Sequence, residues 1–232
     1  MPFPQIFTEM SETHPIDNLI EVVKDSENLV EIRTYRISQG LEEYIHHRLE
    51  TMLTNSPRPT LLPMVYTVIK ELSINACKAN QKRVFFEEKN LDISKTSDYS
   101  KGIVLYKSSF SESMGAEYGQ KCKEKGYYCL IKMEKTVNGV VLSVTNNTPI
   151  AKEEEASIRE KLAKAMAYDD LAQFYMDNAD NTEGAGLGLA LIIIMMKGED
   201  LDPNYFRISI ANGLTTARLE VPLTSEFKSK RD

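Results

Sequence analysis

Gly184, Gly186 and Gly188 stand at alternate positions and run directly into the apolar string Leu189 to Met196. A segment that is apolar on every side belongs in a core, so the pattern predicts a tight loop opening a buried helix. Without a Cβ, glycine lets a backbone approach a ligand closely. The unpaired N–H groups of the first helical turn, with the helix dipole behind them, favour an anion such as phosphate. The same junction also serves plain packing. The dinucleotide-binding version follows an early strand in a βαβ unit, whereas this one lies late in a chain of 232 residues.

Other segments set the frame for that helix. Residues 1–28 mix Pro, Asp and Glu with a short helix-like apolar patch from Ile16 to Val23, and are expected to wrap the core or hold a partner. From Leu29 the residues alternate as in a strand, and Leu41, Tyr44, Ile45, Leu49, Met52 and Leu53 mark an amphipathic helix over 40–54. Asn55-Ser56-Pro57-Arg58-Pro59 ends it. A second helix is predicted over 62–80, followed by a short strand at Arg83 to Glu87, and then a stretch of weak periodicity at 88–126 that reads as an inserted loop or small subdomain with one helix near 111–124. Tyr127 to Glu134 and Val140 to Asn146 form a hairpin around Asn138-Gly139, the strongest short turn signal in the chain. A helix with an acidic first turn, Lys152-Glu153-Glu154-Glu155, and an apolar patch at Leu171 to Met176 lead to the glycine loop; strands at Tyr205 to Ala211 and Ala217 to Pro222 close the sequence.

On the 62–80 helix, Glu71, Asn75 and Lys78 share one face at spacings of four and three, while Leu72 and Ala76 turn to the core and Asn80 points away from Glu71. Two explanations fit the stripe: a solvated face with helix-stabilising pairs, or a carboxylate that orients a water or hydroxyl beside an amide oxygen that holds Mg²⁺.

Composition narrows the classes. A net charge of −6 does not suggest a nucleic-acid surface, and the Lys-Ser-Lys-Arg tail at 228–231 is too short to change that. The start, Met-Pro-Phe-Pro-Gln, lacks the features of a signal peptide, and no run reaches membrane-spanning length, so a cytoplasmic location is expected. Cys77, Cys122 and Cys129 have neither disulfide nor zinc-site spacing.

Glu71-x-x-x-Asn75-Ala76, the strand end Val144-Thr145-Asn146-Asn147-Thr148-Pro149-Ile150, and Gly184-x-Gly186-Leu187-Gly188-Leu189 occur in the order found in the GHKL superfamily, which the chain resembles over roughly residues 60–222. That superfamily joins gyrase B, heat-shock chaperone ATPases, histidine kinases and mismatch-repair ATPases. The resemblance implies an α/β fold: a two-layer α/β sandwich whose mixed, mainly antiparallel sheet carries the 62–80 and 187–197 helices on one face. Residues 1–59 would be an N-terminal strand and helix extension, 88–126 an insert, 150–183 an ATP lid, and 223–232 a polar tail. ATP and Mg²⁺ are the implied cofactors. Glu71 matches the general base of the hydrolysing members and Asn75 the Mg²⁺-binding asparagine. Lys78 falls on the nucleotide side; Gly184, Gly186, Leu187 and Gly188 match the second glycine box that wraps the phosphates. Asn146 stands where the family reads adenine, and Thr215 resembles the late threonine beside it. Histidine kinases usually carry another residue at the Glu71 position, so the match is closer to the ATPases and anti-sigma-factor serine kinases.

The first glycine box departs from the family. In place of Asp-x-Gly-x-Gly stands Asn146-Asn147-Thr148-Pro149-Ile150, which keeps a carbonyl acceptor at Asn146 but loses the charge and both glycines. Two functions follow as expectations: a Mg²⁺-dependent ATP-binding signalling or regulatory protein, a kinase or ATPase acting on a protein partner; or a degenerate fold kept as an interaction module. No phosphoacceptor helix pair or receiver domain is evident, which favours action on a partner. His46 and His47 lie in the 40–54 helix outside any clear phosphoacceptor motif, and His14 sits in the irregular start.

Overall fold

The computed structural model describes residues 14–109, 111–177 and 187–229. Its centre is a seven-stranded sheet in the order β1-β2-β3-β4-β5-β7-β6, formed by β1 (His14–Asp17), β2 (Ile20–Ser26), β3 (Leu29–Thr34), β4 (Cys129–Lys135), β5 (Gly139–Asn146), β6 (Phe206–Ala211) and β7 (Leu214–Pro222). The sheet expected to be mixed and mainly antiparallel is antiparallel at every described strand pair. Helices α1 (Gln39–Thr54), α2 (Leu62–Glu88) and α7 (Leu187–Gly198) cover one face, giving the α/β sandwich of two layers.

Period-two alternation assigns the faces. Val30 and Ile32 on β3, Ile131 and Met133 on β4, Leu142 and Val144 on β5, and Leu219 and Val221 on β7 are all buried beneath the helices. Glu31, Lys132, Ser143 and Arg218 stand on the other face; there the segment after β7 folds back, and the ring of Phe227 meets Tyr205 edge-on. Ser38 starts α1 by accepting from the Leu41 N–H at 3.3 Å, and Pro63 lies in the first turn of α2, where a missing N–H costs nothing.

Two local expectations are overturned, and a third, the small subdomain at 88–126 with a helix near 111–124, is found with a second helix added. Residues 83–87 are not a strand: α2 runs unbroken for 27 residues. No Gly or Pro interrupts the sequence from Met64 to Lys101, and Val84, Phe85 and Phe86, which suggest β structure by propensity, are buried at helical spacing against a second apolar cluster. That cluster belongs to the 88–126 stretch, which is a helical pair: α3 (Thr96–Ser109) and α4 (Glu112–Lys125), the latter capped by Ser111 and ended by Gly126 at φ 73°. The Ile16–Val23 patch is a hairpin instead of a helix. The Leu19 N–H donates to the Asp17 side chain at 2.7 Å, a local turn bond that competes with the helix, and Ile20 and Val22 alternate into the core.

Gly102 fixes how α3 lies on α2. A Cβ there would stand 2.4 Å from Cζ of Phe86, whose ring is almost fully buried and has nowhere to go. Gly102→Ala gains the ~1 kcal/mol helix preference of Ala over Gly and loses more to overpacking, up to ~3 kcal/mol. A net loss of ~1–2 kcal/mol in urea unfolding is expected; an unchanged or higher midpoint would show that α3 is not packed on Phe86.

Candidate functional site

The polar stripe of α2 lies beside the first turn of α7. A Cβ on Gly188 would sit 2.6 Å from Oε2 of Glu71 and 3.5 Å from Nδ2 of Asn75, so these residues converge although more than a hundred positions separate them. Glu71 is partly exposed and Asn75 and Lys78 are exposed. Among the described residues, no hydrogen bond or ion pair engages the Glu71 carboxylate. Leu187 opens α7. Gly184 and Gly186, with 178–183 of the expected lid, fall outside the described residues.

Because α2 continues past Asn80, its stripe is longer than the sequence suggested. At 100° per residue, Glu71, Asn75, Lys78 and Lys82 share an arc of about 60°. Lys82 is ion-paired with Glu154, both side chains being largely buried (15% and 11% exposed). Burial, with Arg83 and Lys161 nearby, pushes the Lys82 amine down to about 8. Glu154 also accepts from the Ala151 N–H at 3.2 Å, which fastens the start of α5 (Lys152–Ala165) to α2. Farther along α5, Ile158, Leu162 and the fully buried Ala165 join the main core with α7, and Phe174 of α6 (Leu171–Asp177) follows. The part of the expected lid that is described is therefore docked.

Asn146, the last residue of β5, points inward. Its Nδ2 donates to the Ala76 carbonyl at 2.8 Å and to Oδ1 of Asn80 at 2.9 Å, with Sγ of Cys129 at 3.8 Å. Thr148 Oγ1 donates to the same Asn80 Oδ1 at 3.0 Å, and the hydroxyl of Thr215 donates to the Thr148 carbonyl at 3.1 Å. Asn146 and Thr215 are also register partners on β5 and β7. Two of the residues that depart from the first glycine box, Asn146 and Thr148, are thus bound to α2 by their side chains. Outside this turn, Thr148 and Pro149 border a cleft of about 360 Å³ with Arg83, Phe86, Leu91 and Tyr127.

Among the predicted site residues, Glu71, Asn75 and Gly188 meet directly, and Asn146 and Thr215 join through Thr148 and Ala76. Two residues carry no signal in the sequence: Lys82, because it lies beyond the expected 62–80 helix, and Asn80, because an asparagine facing the sheet has no meaning until its partners are known. His46 and His47 are exposed on α1, His46 standing edge-on to Tyr66. The three thiols are buried and unpaired, and no cluster of metal-ligating side chains occurs among the described residues. No described helix is long and apolar enough to cross a membrane.

The chain is 30% identical over 201 residues to an uncharacterized protein of Treponema pallidum (strain Nichols); the match covers 87% of this chain and 39% of that protein. The chain therefore spans about two fifths of that relative's length. No family model matches, and no solved structure matches.

Proposed function

We propose that the chain is a GHKL-type domain that binds ATP with Mg²⁺ and acts in signalling or regulation on a protein partner in the cytoplasm. One observation carries it: the missing Cβ of Gly188 leaves room for Glu71 and Asn75 at the first turn of α7. Two sequence-distant helices, α2 and α7, thereby supply a carboxylate, an amide oxygen and a helix start in one place.

The residue chemistry fits the group. Asn75 offers a hard oxygen ligand suited to Mg²⁺, and the N-terminus of α7 favours phosphate through its free N–H groups and dipole. Lys78 adds a cation on the same stripe. Bound Mg²⁺ supplies charge neutralisation on the phosphates. In transfer or hydrolysis, the Glu71 carboxylate accepts the proton of the attacking hydroxyl or water, and positioning with fixed charges does the rest. Asn146 and Thr215 are assigned to the base in this reading.

Saturating MgATP is expected to raise the melting temperature, since a ligand at 100 times its Kd adds ~2.7 kcal/mol to the native state. Asn75→Ala should remove the Mg²⁺ dependence, and Glu71→Ala should stop turnover while sparing binding. No calorimetric binding of MgATP at millimolar concentration would defeat the proposal; a stable protein partner recovered under that condition would point to an interaction module instead.

A further inference from the structure

The hydrogen bonds around Asn146 dictate which way its amide faces. A backbone carbonyl only accepts, so the group set 2.8 Å from the Ala76 oxygen is the NH₂. Its second N–H goes to Asn80, whose Oδ1 is held between two donors, Asn146 Nδ2 and Thr148 Oγ1. The Nδ2 of Asn80 in turn faces Sγ of Cys129 at 3.5 Å, which fixes the second amide as well. With both donors of Asn146 committed to α2, its Oδ1 is turned away from the Ala76 carbonyl. No donor among the described residues reaches that oxygen. It is not sealed in, either: the sealed, unpaired side-chain atoms among the described residues all belong to arginines and glutamates.

We propose that Asn80 is a positioning residue for base recognition: with Thr148, it locks the Asn146 amide so that only an acceptor is presented, which selects a nucleobase bearing an exocyclic amino group. The inference rests on the nucleotide reading above and deepens it. An aspartate is an acceptor at either oxygen and needs no orienting, whereas an asparagine presents an acceptor or a donor according to its flip. Asn80 removes that choice. Thr148 then has a purpose that glycine could not serve, because its hydroxyl is the second donor to Asn80 Oδ1. Asn80 touches no ligand; it acts through Asn146.

The matched probes are Mg²⁺ complexes of ATP and of inosine triphosphate, which differ at the base by an amino group against a carbonyl. A carbonyl facing a locked acceptor pairs two oxygens with no proton between them. Calorimetric Kd values on the full chain should favour ATP by about 10- to 100-fold. Asn80→Leu should bring the two within about threefold, and Thr148→Val should narrow the ratio as well while Thr148→Ser keeps it. A purely structural role for Asn80 would weaken both ligands equally and leave the ratio unchanged. If Asn80→Leu does not fold by circular dichroism, the Thr148 pair decides. Equal affinity of the wild type for both ligands overturns the inference and leaves the nucleotide reading standing. Binding of neither overturns both.

Discussion

Under the proposed ATP reading, Gly188→Ala is expected to reduce turnover at least ~100-fold while shifting the melting temperature by only a few degrees. The substitution adds one methyl group, and its nearest neighbour is the free end of the Glu71 side chain at 2.6 Å, with the Asn75 amide at 3.5 Å. A flexible carboxylate can swing aside, so the stability cost is small and is offset by the ~1 kcal/mol helix preference of Ala over Gly. Function has no such tolerance, since a displacement of about 1 Å in a reacting group costs on the order of 100-fold. Gly188→Val should add a loss in MgATP affinity of about tenfold or more by crowding Asn75 too, equivalent to ~1.4 kcal/mol. Turnover in Gly188→Ala equal to that of the wild type would remove Glu71 from the role of base.

The second large effect is in stability, on the sheet face away from α2. Glu220 on β7 is fully buried, with Arg218 at 2.8 Å and Arg207 at 3.4 Å. Burial alone would raise its pKa, but the Ser229 hydroxyl and the two guanidinium groups outweigh burial and hold the carboxyl below its usual value. The sign follows from that direction. Above the unfolded value of about 4.3 the carboxylate is charged in both states and its pairing stabilises the fold; as pH falls from there through the lower folded value, the native state must take up a proton at a cost. Glu220→Gln should therefore cost ~1–2 kcal/mol at pH 7, because the partly exposed arginines lose a charged partner but keep access to water, or roughly 2–8 °C in a chain of this size. It should also flatten the acid side of the stability curve below about pH 4.3. A variant within ~0.5 kcal/mol of wild type, with a parallel pH curve, would show that the arginines are fully hydrated without Glu220.

Elements set by local chemistry were readable in the chain. The β4–β5 hairpin stands where Asn138-Gly139 placed it, although neither residue takes the positive φ of a tight Asn-Gly turn; α1 follows from its apolar stripe, and α7 from a glycine-to-apolar junction. Where tertiary packing overrode local preference, the sequence misled. Phe85 and Phe86 are helical because α3 and α4 bury them, and Ile16 to Val23 pair as strands because an Asp17 turn precedes Ile20. The same cause limited the site. Glu71, Asn75 and Gly188 could be found from spacing and order. Lys82 was lost with the end of its helix, and Asn80 acquires meaning only from Asn146 and Thr148, which lie far along the chain and reach it across the sheet.

Helix α2 is the one element shared by both apolar clusters. Val65, Ile69, Leu72 and Ala76 lie in the main core, and Val84, Phe85 and Phe86 in the cluster beneath α3 and α4. At 1.5 Å per residue its 27 residues form a rod of about 40 Å. The helical pair at 96–125 is thus joined thermodynamically to the domain. Loosening the pair would uncover Val84, Phe85 and Phe86 and strip the C-terminal turns of α2 of their packing. Under the proposed nucleotide reading, whatever free energy a bound ligand gives to the packed pair, the pair returns to the ligand's affinity.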